Sequence, residues 1–229
     1  MTASRLPAPT FVHQIVTVII NYQTPDLMER AVGSFRQQYP DGQLLLIDNG
    51  SRDQSVSLLH NLQSQFPDKT ELLLNRENLH HGPAMDQALR HSNLPFVLFL
   101  DSDCVVQQGG FIESMHSLLT EKNEHYIVGK RIFMNRRGFD VSEKAKGFPY
   151  IRPICMLVSR ELYVALPPFQ LHGTPCLANM RAATERGLIL VDFPIDEFVY
   201  HTGRGTAGRF GYQLGWRGKW NYLLNRMGL

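Results

Sequence analysis

Short apolar runs alternate along the first hundred positions with stretches whose apolar residues recur at helical spacing. Ile15 to Ile20 is a β-branched run and predicts a strand. It is followed by Thr24 as N-cap, Pro25 at the first helical position and Asp26 in the first turn; Leu27, Met28, Ala31, Val32 and Phe35 then mark one face of a helix. Leu44 to Ile47 reads as the second strand and ends in Asp48-Asn49-Gly50-Ser51, after which Val56, Leu59, Leu62 and Phe66 outline a second helix. Leu72 to Leu74 predicts a third, short strand. Asn75 to Gly82 reads as a loop, and Pro83 as the opening of a helix carrying Ala84, Ala88 and Leu89. Phe96 to Leu100 is the fourth strand. Strands separated by helices of this length need right-handed crossovers, so the expected fold is α/β with a mainly parallel sheet flanked by helices.

The texture changes in the second half. Asn135 to Tyr150 is polar, glycine-bearing and aperiodic, and reads as a flexible loop over a site. Ile154 to Val158 resumes as a strand, Pro175 to Arg186 as a helix stopped by Gly187, and Leu188 to Val191 as another strand. A last apolar segment, Phe198-Val199-Tyr200, ends in His201. No internal repeat, low-complexity tract or heptad interrupts this order.

Composition narrows the class. With 229 residues, 43% of them apolar and 19% charged, the chain can bury one full core without staples, and a single domain is expected. A net charge of +2 without a clustered basic stripe argues against nucleic acid. Cys104, Cys155 and Cys176 are odd in number and lack metal-site spacing, as expected of buried thiols in a reducing, cytoplasmic compartment. No run approaches the roughly 18 apolar residues of a membrane span, and Met1 to Gln14 lacks the apolar centre of a signal peptide, so a soluble or at most peripheral protein is expected.

The most informative chemistry is Asp101-Ser102-Asp103, directly after the fourth strand. A buried strand ending in two carboxylates delivers both to the carboxyl edge of the sheet, where open α/β folds bind ligands. Hard oxygen donors there suit a Mg²⁺ or Mn²⁺ that carries phosphates. A lone Asp-x-Asp is common by chance, with one carboxylate capping a turn and the other solvated; its weight comes from its company.

That company is Val16-Thr17-Val18-Ile19-Ile20-Asn21-Tyr22, then Leu46-Ile47-Asp48-Asn49-Gly50-Ser51-Arg52-Asp53, then Asn75-Arg76-Glu77-Asn78-Leu79, then the Asp-x-Asp, with His201 and Gly203 to Thr206 late in the chain. In this order the motifs closely resemble family 2 glycosyltransferases of GT-A fold. The resemblance implies a single Rossmann-like GT-A domain, with 15–106 as the nucleotide-sugar-binding half and 107–229 as the acceptor-binding half and C-terminal tail. It implies a nucleotide-diphosphate sugar donor, Mn²⁺ or Mg²⁺, and hexosyl transfer to an acceptor hydroxyl that is a glycan, a lipid-linked molecule or a small molecule.

Site roles follow from the same resemblance. Ile20, Asn21 and Tyr22 correspond to the backbone and aromatic that hold the base, and Asp48 to the carboxylate that accepts its hydrogen bond. From residue type alone, Tyr22 is equally a wet-edge core aromatic and Asp48 an Asx-turn into Gly50. Arg76, Asn78, Gly82 and Asp86 lie on the nucleotide side, where Asp86 equally reads as a helix-surface charge. Asp103 is the implied metal ligand on a solvent-facing strand end, and Asp101 with Ser102 sits beside it on ribose, water or metal. His201 is the implied partner ligand, and its imidazole tilts the preference towards Mn²⁺. Arg204 and Arg209 are available to the diphosphate. His80 and His81 read as loop residues near the donor sugar.

Two rival motifs are weaker. Gly203-Arg204-Gly205-Thr206-Ala207-Gly208 spells the dinucleotide fingerprint, but that motif belongs at the first turn of a βαβ unit with an acidic residue about 20 positions later; none of the residues after Gly208 is acidic. A nucleotidyltransferase wants a glycine-rich basic loop after strand one, and Asn21-Tyr22-Gln23-Thr24 is neither.

The acceptor half departs from the family. Many inverting relatives carry an acidic pair before the last strands, the second carboxylate acting as base; counting back from Gly187, Pro175 and Cys176 fall there. Three readings stay open: His172 substitutes as base, the anomeric configuration is retained without such a base, or the chain binds nucleotide sugar without turnover. Phe210 to Leu229 mixes Tyr212, Trp216, Trp220 and Tyr222 with Arg217, Lys219 and Arg226, which reads as a terminal helix on the core or as a peripheral membrane contact.

Overall fold

The computed structural model describes residues 13–135, 138–142, 147–170 and 173–203. The first half runs β1 (Ile15–Asn21), α1 (Pro25–Gln38), β2 (Gln43–Asp48), α2 (Ser55–Gln65), β3 (Thr70–Leu74), α3 (His81–His91), β4 (Phe96–Leu100) and β5 (Cys104–Val106). The second continues with α4 (Phe111–Thr120), β6 (His125–Met134), β7 (Asp140–Val141), β8 (Phe148–Ser159), α5 (Arg160–Tyr163), α6 (Leu177–Glu185), β9 (Ile189–Asp192) and β10 (Val199–His201).

The large sheet has the order β3-β2-β1-β4-β8-β6-β7, with β9 also on β6. Its ladders β1–β2, β2–β3, β1–β4 and β6–β9 are parallel, while β4–β8, β6–β8 and β6–β7 are antiparallel. The parallel expectation therefore holds among β1 to β4. Strand β8 reverses it because its chain arrives from the β6–β7 hairpin rather than from a crossover helix.

Side-chain alternation splits the core into two layers. Ile15, Ile19, Leu44, Leu46, Leu98 and Leu100 point to one face with Met28 and Phe35 of α1, Leu59 of α2 and Met115 of α4. Val16, Val18, Leu45, Ile47, Val97 and Phe99 point to the other, with Met85 and Leu89 of α3, Tyr163 of α5 and Met180 of α6. Each such side chain contributes about 1.5–3 kcal/mol when fully buried. Covering both faces forces both sets of positions to be apolar, and the strand ends are the first places where polar groups fit.

Three sequence expectations need correction. Residues 135–150 are not one irregular loop: Asp140–Val141 pairs with Phe133 and Met134, and β8 already begins at Phe148. Helix α3 starts at His81 rather than Pro83, so the proline occupies its third position instead of the first. Helix α6 starts at Leu177, leaving Pro175 and Cys176 in the turn that precedes it. No helix among the described residues is long and apolar enough to cross a membrane.

Candidate active site

Three loop regions meet at the carboxyl edge of the sheet: one after β4, one after β1 and β2, and one after β3. After β4 the chain turns sharply. The Asp101 N–H bonds the Ile154 carbonyl of β8 at 2.8 Å, and the Cys104 N–H closes back on the Asp101 carbonyl at 3.0 Å. Strand β5 then pairs antiparallel with β10, placing His201 opposite Cys104. The Asp103 carbonyl accepts from both the N–H and the hydroxyl of Thr202, at 3.1 and 2.8 Å. This clamp brings His201 Nε2 to 3.1 Å from Asp103 Oδ1.

Asp101, Asp103 and His201 each offer one ligand atom, all within 4.8 Å of one another. Two ligands on opposite sides of an ion at about 2.1 Å stand about 4.2 Å apart, so a slight closure suffices for one cation to touch all three. Two carboxylates and an imidazole suit Mn²⁺ or Mg²⁺. Burial, and then the like charge of Asp103, push the Asp101 carboxyl up to about 8, with His201 opposing. The His201 imidazole is raised, first by its hydrogen bond to Asp103. Burial and the close approach of these three groups thus couple their protonation. Asp103 is not on a solvent-facing strand end, since only 11% of its side chain is exposed; the Thr202 clamp folds β10 across it.

The second loop follows β1 and β2. Asn21 is wholly buried; its Nδ2 donates to Asp48 Oδ1 at 3.1 Å and to Ser51 Oγ at 3.3 Å, and its Oδ1 accepts from Thr24 Oγ1. Ser51 N–H donates to Asp48 Oδ2 at 2.8 Å. Asp48 is thus a buried turn-former held on both oxygens, at 1% exposure. Ile20 and Tyr22 are half-buried at this edge. Gly50 has φ +78°, and a Cβ there would lie 2.4 Å from the Glu77 backbone, so only glycine lets the third loop approach.

That third loop, 75–80, is organised by Asn49. Its Oδ1 accepts from Leu79 N–H and Asn75 Nδ2, and its Nδ2 donates to Asn78 Oδ1 and the His80 carbonyl. Asn78 also accepts from the His80 N–H, and Arg76 is exposed beyond it. His80 has φ +70°, an uncommon conformation for a side-chain-bearing residue, and it turns the chain so that α3 begins with His81 Nε2 at 3.7 Å from Asp101 Oδ1. Gly82 packs so closely on Gln170 that a Cβ would sit 2.4 Å from its carbonyl oxygen. Asp86 accepts from Tyr163 OH at 2.6 Å and from Arg90 at 2.8 Å, which ties α3 to α5.

The geometry gathers Asp101, Asp103 and His201 at one point, with Ser102 buried between the two carboxylates. Asn21 and Asp48 meet in the adjacent turn. His172, Arg204, Arg209 and the tail 210–229 lie outside the described residues. Sequence reasoning assigned no role to Asn49 or Thr202. For Asn49, the signal is an Asx residue immediately before Gly50 at a strand end; Thr202 has only its place beside His201.

The model for "Glycosyl transferase family 2" matches residues 16–166. The chain belongs to this family. An uncharacterized glycosyltransferase of Nostoc sp. is 31% identical over 93 residues, which are 40% of this chain and 29% of that protein. Among solved structures, the fold is similar to a mannosyltransferase of Pyrobaculum calidifontis in complex with GDP-Man and Mn²⁺. That similarity has a TM-score of 0.62 at 16% identity, over 79% of this chain and 55% of the other. It is also similar to GalNAc-T7 with UDP, GalNAc and Mn²⁺, with a TM-score of 0.66 at 13% identity over 79% and 42%. A third similar structure is S. aureus TarS with UDP-GlcNAc, with a TM-score of 0.59 at 14% identity over 82% and 58%. The chain spans well under two thirds of each of these proteins. At these identities the solved structures establish the GT-A fold.

Pro175 and Cys176, which the resemblance aligns with the acidic pair of many inverting relatives, carry no carboxylate. Cys176 is wholly buried, and burial pushes its thiol well above the ordinary range, so it holds its proton at neutral pH. Pro175 uses its carbonyl to accept from the Gln170 N–H. Neither can take a proton from an acceptor hydroxyl.

Proposed function

We propose that this chain transfers a sugar, of hexose type, from a nucleotide-diphosphate sugar to an acceptor hydroxyl, with Mn²⁺ or Mg²⁺ held by Asp103, His201 and Asp101. The convergence of these three side chains at the carboxyl end of β4 carries the reading. The bound cation would supply charge neutralisation to the departing diphosphate.

The chain's own residues do the rest. The rigid Asn21–Asp48–Ser51 turn presents the Ile20 to Tyr22 backbone and the Tyr22 ring to a base, while Arg76 and Asn78 border the nucleotide from the 75–80 loop. Asp101 and Ser102 would lie on the ribose side of the donor. Helix α3, entered through His81 and Gly82, places its first turn against Asp101, where a donor sugar would lie. Arg204 would add a cation at the diphosphate. Acceptance of the hydroxyl proton falls to His172, or to no protein base if configuration is retained. The acceptor is a glycan, a lipid-linked molecule or a small molecule, and the basic aromatic tail would suit the lipid-linked case. A cytoplasmic setting fits three reduced, buried thiols.

A second reading, nucleotide-sugar binding without turnover, is favoured by one observation, the buried Cys176 where the resemblance to many inverting relatives calls for a carboxylate. A thermal-shift panel of nucleoside diphosphates and their sugars, with and without Mn²⁺, tests the shared part of both readings. A donor that raises the melting temperature only with Mn²⁺ supports it. No shift with any donor would remove the nucleotide-sugar site itself.

A further inference from the structure

Strand β8 runs past the end of β4. Its Cys155 pairs with Leu100, its Ile154 carbonyl holds the Asp101 N–H, and the residues before Ile154 continue beyond the carboxyl edge of β4, paired only with β6. Arg152 stands on this overhang, half-buried, two residues from the group that fixes Asp101. One guanidinium nitrogen, Nη2, bonds Asp140 Oδ2 of β7. The positive charge of Arg152 opposes protonation of the His201 imidazole, as the weakest of the influences on it.

Charge explains why a cation belongs there. Two carboxylates and a divalent ion cancel, which leaves the negative charge of any phosphates on that ion uncompensated. A guanidinium has five N–H donors in a planar fork that matches phosphate oxygens, and Asp140 engages one end of it.

We propose, building on the reading of this site as a nucleotide-sugar transferase, that Arg152 binds a phosphate lodged beside the Asp101–Asp103–His201 centre, with Asp140 orienting the guanidinium. The phosphate belongs to the donor's diphosphate or to a phosphorylated acceptor. Strand β8 rather than a loop carries this cation, so it is in place before substrate arrives.

The test uses the full chain and inorganic pyrophosphate with Mn²⁺, followed by calorimetry. Arg152→Met is expected to weaken pyrophosphate binding roughly tenfold to a hundredfold, as for loss of charged hydrogen bonds, while the affinity for Mn²⁺ alone is unchanged. Asp140→Asn removes the same ion pair but keeps the cation, and should lose far less. Equal losses in the two variants, or wild-type binding by Arg152→Met with its fold verified by circular dichroism, would overturn the assignment and leave an ion pair of the hairpin. Arg152→Lys should restore binding in part and so separates lost charge from misfolding. Sugar-free nucleoside diphosphate and nucleoside monophosphate distinguish the sources: a defect confined to the diphosphate points to the donor, and unchanged nucleotide affinity with weakened inorganic phosphate binding points to the acceptor. If the wild-type protein bound neither pyrophosphate nor any nucleotide, the underlying transferase reading would fail first, independently of Arg152.

Discussion

His201 Nε2 lies 3.1 Å from Asp103 Oδ1, although nearly a hundred residues separate them in the chain. The short β5–β10 ribbon makes this contact, and Thr202 locks it by donating twice to the Asp103 carbonyl. His201→Ala should therefore lower Mn²⁺ affinity at least tenfold, in the range seen when a site loses a group that holds or orients its ligands. Titration calorimetry of the variant against Mn²⁺ checks this, and unchanged affinity would return His201 to a structural role.

Asn49 is the joint between the β2 and β3 loops, with four hydrogen bonds from one amide. Asn49→Ala leaves Leu79 N–H and Asn75 Nδ2 without that acceptor in a nearly closed environment and should cost about 1–3 kcal/mol. Urea denaturation measures it. A loss below a few tenths would mean that the loop rearranges freely.

Gly82→Ala introduces a Cβ that meets Gln170 backbone at 2.4 Å, where nothing flexible can yield. Overpacking of this kind costs about 1–3 kcal/mol. Because α3 would be pushed from the segment before Leu171, donor binding should weaken along with stability. Thermal melts with and without donor separate the two effects, and a variant as stable as the wild type would show that the contact relaxes at no cost.

In chelator, stability should fall as the pH rises. The folded-state pKa of Asp101 is pushed up to about 8, above an unfolded value of about 3.9, so folding favours its protonated form. That contribution is full below about 4 and is lost as the pH passes through about 8. The raised His201 contributes in the same direction, full below about 6.5 and lost above it. Asp101→Asn should flatten the decline between about pH 5 and 8 when melting temperatures are compared; parallel wild-type and variant profiles would contradict the shift.

The first half of the fold was legible because its information is local: a β-branched run, a Thr-Pro-Asp helix entry, an Asx-Gly turn. Helix α3 was misplaced because its true entry is His80 at φ +70°, a backbone choice that no residue type announces. In the second half, Phe111, Ile112, Met115 and Leu119 have the spacing of α4, and Tyr126-Ile127-Val128 the character of β6, so these two elements are also written in local pattern. The pairing of β8 with both β4 and β6 was not readable, since antiparallel register depends on partners distant in sequence. The same holds for the site. The carboxylates of Asp101 and Asp103 are neighbours by sequence, but their meeting with His201 depends on the β5–β10 register.

The central claim is metal-dependent chemistry on a nucleotide-sugar donor at Asp101, Asp103 and His201. Its most direct test is release of nucleoside diphosphate from a panel of sugar nucleotides by the full chain, measured with Mn²⁺, with chelator, and with Asp103→Ala. The account predicts slow donor hydrolysis by the wild-type protein with Mn²⁺, and none with chelator or in Asp103→Ala, whose circular dichroism stays native. Release that persists undiminished in chelator or in Asp103→Ala would contradict it.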